Sequence, residues 1–201
     1  MSNDAISYFS AKFSEEKKKP GTLAGFSDKA MAEFRKLGLP AVRHEEWKYT
    51  RVSNLFRNDL QIGMGETGIT QADIDNFRLP DADSATELVF VNGIFNPALS
   101  VVRHLPEELI AIPLEEAANG NYTEFVQANL GHSAEYHPDG IHALNAAFAD
   151  NGLFIAAKKG GIIEKPVYIY NIADSRPGFI FAQPRTLVHV EAAAQLQIAE
   201  H

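Results

Sequence analysis

The sequence predicts an α+β fold, in which a helical N-terminal region gives way to a succession of short, turn-punctuated strands. Three observations carry that expectation. Apolar residues recur at helical spacing, with start and stop residues, through the first third of the chain. An Asn-Gly pair follows a β-branched and aromatic run in the middle. Beyond Gly152, strand-like runs follow one another with no long helix between them, a poor fit to a doubly wound α/β sheet.

The elements follow in order. Residues 4–13 set Ile6, Phe9 and Phe13 at helical spacing. Residues 27–37 offer a cap in Ser27, a stripe of Ala30, Met31, Phe34 and Leu37, and a stop in Gly38 ahead of Pro40. In residues 39–50, Trp47 stands among charged neighbours. This reads as a short amphipathic helix docked by one interior indole, whose truncation would cost about 3–5 kcal/mol. Thr70-Gln71-Ala72-Asp73 matches a capping box and opens a further short helix.

Residues 87–93 read as a strand entering a turn, Ile94 to Pro97 extend the turn, and residues 98–102 return as the second strand of a hairpin. Residues 123–130 and 141–148 read as helices, the latter with Ile141, Leu144, Ala147 and Phe148 on one face. Strand-like runs then occupy 153–157, 167–172, 179–182, 186–191 and 195–200, separated by Lys159-Gly160-Gly161, Lys165-Pro166, Arg176-Pro177-Gly178 and Gln183-Pro184-Arg185. A sandwich, a barrel and a β-solenoid all fit this pattern. The strand-like stretch 195–201 carries no polar cap, which leans toward a solenoid cut from a longer parent.

Composition narrows the function. The 201 residues are 45% hydrophobic and 10% aromatic, too apolar for a disordered chain. The net charge of −8 disfavours nucleic acid as the main partner. Residues 1–60 are net positive and residues 61–201 strongly negative, which suggests two regions with different surfaces. The triplet Lys17-Lys18-Lys19 is shorter than a basic binding cluster and reads as a solvated loop edge. No cysteine is present, which removes disulfides, thiolate metal sites and cysteine nucleophiles. The N-terminus lacks a secretory pattern, and the longest apolar run, 153–157, is too short to cross a bilayer. The expected location is cytoplasmic, without membrane contact, so the Asn121-Tyr122-Thr123 sequon reads as a chance match.

Chemical motifs are sparse. Gly65-Glu66-Thr67-Gly68 lacks the lysine of a phosphate loop, and Lys158-Lys159-Gly160-Gly161 has the wrong order. His132, His137 and His142, near Asp139, recur every five residues. On one helix those steps rotate by about 140° and splay the imidazoles, so a metal reading is weak. His44 beside Glu45 and Glu46 reads as part of a salt-bridged surface, and His189 as a hydrogen-bonded strand residue. No catalytic, cofactor-binding or metal-binding residue is assigned.

The segment LGLPAVRHEEWKYT (37–50) resembles the N-terminal signature of the SufB/SufD family, components of the SUF iron–sulfur cluster assembly system. LVFVNGIFNPALS (88–100), ALNAAFADNGLFIAAKKGGIIEKPVYIYNI (143–172) and PRTLVHVEAAAQLQIAE (184–200) resemble later family segments in the same order. A short N-terminal region and the lack of cysteine favour the SufD branch over SufB. The resemblance implies a helical N-terminal domain over 1–80, a mixed hairpin and helix region over 81–150, and the first coils of a right-handed parallel β-helix over 151–201. It implies a non-catalytic scaffold component, not an enzyme, that pairs with a SufB-like subunit and a SufC-like ATPase mainly through parts missing from these residues. It also implies that no cofactor is bound by this fragment, an iron–sulfur cluster being held only in the assembled complex. Two other readings remain beside it: a β-helix carbohydrate-active enzyme using carboxylates of the acidic region, and a plain protein-interaction module.

Overall fold

The computed structural model describes residues 2–15, 22–42, 44–57, 60–62, 67–136, 138–176 and 178–201. The lysine triplet 17–19, His137 and the Gly65-Glu66 pair lie outside the described residues.

Two helices lead the chain, α1 (Ser2–Glu15) and α2 (Thr22–Leu37). α2 starts earlier than Ser27 suggested, because burial of Leu23 draws the preceding turn into the helix. Ser27 therefore sits inside the helix, fully buried, and its hydroxyl donates to Asp150 at 3.2 Å instead of capping. Gly38 ends α2 as expected, with φ +65° and its N–H on the Phe34 carbonyl at 2.8 Å. The 3₁₀ turns Glu45–Trp47 and Val52–Arg57 and the short strand β1 (Leu60–Gln61) follow.

Trp47 is not the interior anchor that its flanks suggested. It is half-buried, and the turn that carries it buries no residue. The core beneath is already filled by Phe9, Met31 and Phe34, packed against Leu144 and Phe148. Thr70 does open the helix α3 (Gln71–Asp75). Its backbone N–H and hydroxyl both donate to Asp73 Oδ2 at 2.7 Å, which holds the Asp73 carboxyl below its ordinary pKa.

The central strands are β2 (Thr86–Val91) and β3 (Ile94–Phe95), joined through Asn92 (φ 53°) and Gly93 (φ 82°). The returning strand is Ile94–Phe95, not 98–102. Asn96 accepts from the Leu99 N–H at 3.1 Å and turns Pro97–Leu99 into a 3₁₀ helix, leaving only a Glu87–Val101 bridge beyond it. Next come β4 (Leu109–Pro113), α4 (Leu114–Asn119), α5 (Thr123–Asn129) and α6 (Gly140–Ala147). α6 is capped by the Asp139 carboxylate, which accepts from the His142 N–H at 2.9 Å. A Cβ at Gly140 would run into the Gly38 carbonyl, so glycine permits the close approach of the α2 end and the α6 start. The chain continues as β5 (Leu153–Ala157), β6 (Val167–Ile172), β7 (Phe179–Ile180), β8 (Thr186–Val190) and β9 (Ile198–Glu200).

The result is a mixed α/β architecture with three sheets among the described residues, ordered β3-β2-β6-β9, β4-β5-β8 and β1-β7. Its defining feature is parallel pairing between successive passes of the chain. Leu153 lies opposite Thr186, Ile162 opposite Gln195, and Val167 opposite Ile198, all parallel. The two larger sheets face one another across Leu88, Phe90, Leu109, Leu153, Ile155 and Val167. Outward residues of β5, Phe154 and Ala156, pack on α4 and α5, while outward Val89 and Val91 of β2 pack with Ile74 and Tyr170. Both strands are thus buried on two faces, which explains why they read as unbroken apolar runs.

Candidate interaction surfaces

The stack of strands has two unlike ends. At one, antiparallel strands cover the parallel ones: β3 lies on β2 and β4 on β5. At the other, β8 and β9 are outermost and bring their apolar residues toward solvent. Val188 is 37% and Ile198 39% exposed, whereas their register partners Ile155 and Val167 are fully buried. Unpaired strand edges of this kind accept a further strand.

One ionic cluster forms around the buried Glu87 near the covered end. Arg78 clamps the Glu87 carboxylate through Nε and Nη2, each at 2.9 Å, and Arg103 Nη1 reaches it at 3.3 Å. The Tyr170 hydroxyl donates to Glu87 and accepts from the Leu79 N–H at 3.1 Å. The Glu87 hydrogen bonds raise the Arg78 pKa, and burial raises that of Tyr170. The cluster ties residues 78–79 to β2 and β6. A second pair, Asp174 and Arg176, is bidentate at 2.7 Å and holds the Asp174 carboxyl below its ordinary pKa. Lys158 donates to the Tyr122 hydroxyl, which raises the lysine pKa.

The histidines are dispersed. His44 Nδ1 accepts from the Ala41 N–H at 3.4 Å, and the charges beside it form an exposed Lys48–Glu45 pair. His132 stacks edge-on with Tyr136, and His142 Nε2 bonds Ser133 at 2.9 Å. His189 packs edge-on against Phe125, with ring centroids 3.8 Å apart. Among the described residues, no three His, Asp or Glu side chains are grouped to hold a metal ion. The sequence holds no cysteine, so no thiolate ligand is available to a metal here. No described helix is long and apolar enough to cross a membrane.

Sequence reasoning missed Arg185, which it read only as punctuation before a strand. Its guanidinium donates to Asn145 of α6 and to the Leu130 carbonyl that follows α5. No local signal marks that role, because its partners lie far off in sequence.

These features define a mixed α/β module whose strands stack by parallel pairing between successive passes of the chain. Its family is identifiable: residues 6–169 match the family model described as the SufBD protein N-terminal region, and the chain belongs to that family. It is 31% identical over 164 residues to an iron–sulfur cluster assembly SufBD family protein of Synechocystis, covering 82% of this chain and 35% of the relative. It is 26% identical over 178 residues to the iron–sulfur cluster assembly protein SufD of Escherichia coli, covering 85% and 37%. The chain therefore spans little more than a third of these relatives. The matches do not favour the carbohydrate-active reading.

Proposed function

We propose that this chain is the N-terminal part of a non-catalytic, SufD-like scaffold subunit of a cytoplasmic SUF assembly complex. The observation that carries the proposal is the family match together with the parallel passes of chain. In this reading β5, β6, β8 and β9 belong to the first coils of a right-handed parallel β-helix. The antiparallel strands β3 and β4 are its lid, and β8 and β9 its growing edge. The pairing surfaces for a SufB-like subunit and a SufC-like ATPase lie mainly in the part of the relatives that these residues do not span. Lacking cysteine and a phosphate loop, the chain takes cluster ligands and ATP hydrolysis from those partners, so the cluster is cargo of the assembled complex.

Coexpression of the full-length gene product with SufB-like and SufC-like subunits tests this. A single species containing all three on a sizing column is expected. Elution of the three as separate peaks rejects the proposal.

A further inference from the structure

Between α2 and α6 lies a half-open cavity of about 370 Å³. Its space is owed to small side chains, Ala30 on α2, Ala143 and Ala146 on α6, and Ala134 on the connection before it. Arg185 enters this apolar space from the turn ahead of β8. Its Nη1 donates to Asn145 Oδ1 at 2.7 Å, its Nη2 to the Leu130 carbonyl at 2.8 Å, and the guanidinium stands 5.7 Å over the Phe26 ring.

Two of its five N–H groups are thereby engaged, both by neutral acceptors. Burial lowers its pKa, and no carboxylate among the described residues acts against that. The two carboxylates lining the cavity are otherwise occupied. Glu33 pairs with Lys36 at 3.4 Å, and Asp139 caps α6. A desolvated guanidinium without a counter-charge favours an incoming carboxylate. The cavity is also not isolated. A groove of about 310 Å³ shares Phe26 and Lys29 with it on one side, and another of about 280 Å³ shares Leu37, Pro138 and Asp139 on the other. The shape suits an extended occupant rather than a compact one.

We infer that this groove binds the C-terminal end of a partner polypeptide, its terminal carboxylate on Arg185 and its last apolar side chain in the space between α2 and α6. A chain end suits the site better than an internal acidic residue. It delivers the carboxylate with one peptide strand to accommodate, where an internal segment brings two into an apolar groove. The inference is independent of the scaffold reading, because it uses only this chain's own groove.

Calorimetric titration of this chain with acetyl-Ala-Leu-Leu as the free acid, the same peptide as its C-terminal amide, and 4-methylpentanoate tests it. The acid should bind about tenfold or more tightly than the amide, as expected for loss of a charge-assisted pair. Arg185→Gln should erase that preference and Arg185→Lys should keep part of it. Ala134→Phe, on the exposed connection, should block the peptide while leaving the circular dichroism spectrum unchanged. Equal affinity of acid and amide overturns the inference, as does binding unaffected by either Arg185→Gln or Ala134→Phe, or no binding at all. Binding of 4-methylpentanoate as tight as the peptide also overturns it, in favour of a free small acid.

Discussion

The covered and bare ends of the strand stack are built from the same kinds of residue, yet they are in different states. β5 and β8 lie side by side in parallel register, and both are short runs rich in aliphatic residues. Every residue of β5 is buried, because β4 covers one edge, β8 the other, and α4 and α5 one face. β8 has β5 on one edge and no described strand on the other, and two of its five residues are exposed. Both runs form strands, β8 with the more β-branched residues, so cover and not propensity is what differs in favour of β5. Apolar burial, not strand formation, sets how much each residue contributes to stability.

Substitution of register partners is the most direct way to break this comparison. Ile155→Ala on β5 should cost about 2–5 kcal/mol, since it empties a fully packed position. Val188→Ala, directly opposite on β8, should cost about 1 kcal/mol or less. Urea denaturation of the two variants checks this, and equal costs would mean that the two ends are equally covered. Glu87→Gln probes the covered end from its polar side. It keeps the shape but leaves Arg78 and Arg103 without their shared carboxylate, so a loss of about 3 kcal/mol is expected in the same assay.

Acid should act on the covered end first. Asp174 sits beside the β2–β3 turn, its N–H donating to Asn92 Oδ1 at 2.8 Å, and Arg176 depresses its pKa. A carboxyl depressed in the folded state stabilises fully above its unfolded pKa of about 3.9, and that contribution is lost as pH falls through the folded value. Unfolding free energy measured from pH 5 downward should therefore fall, and Asp174→Asn should flatten that part of the slope. An unchanged slope would show that the pair with Arg176 does not form in solution.

How much of this was legible in the sequence follows the same division. β5 and β6 read to the residue, because burial on both faces writes an unbroken apolar run. α6 and the Thr70 cap were legible because their signals are local. The misreadings lie where distant contacts override local ones. Ser27 resembled a cap, but Leu23 packs against α4 and α5 and extends the helix past it, and β4 with α4 passed unread because Pro113 interrupts their apolar run. Trp47 resembled an anchor because residue type says nothing about whether the core has room. The groove at Arg185 was invisible for a related reason: it is assembled from α2, α6 and a turn ahead of β8, and none of these is unusual alone.

The bare end yields the smallest effect in this chain and the sharpest contrast beyond it. Val190 is 49% exposed at the end of β8, opposite the fully buried Ala157. Val190→Lys therefore removes little buried area here and should change stability by no more than about 0.5 kcal/mol. It should still matter to association, because a lysine on an open edge opposes pairing with another strand. Sedimentation at increasing concentration should show this chain self-associating and the variant less so. In the full-length protein, where we propose that a further coil covers β8, the same lysine would be buried without a partner. There the substitution should cost about 2 kcal/mol or more. A variant equally harmless in both contexts would mean that no coil follows on that edge.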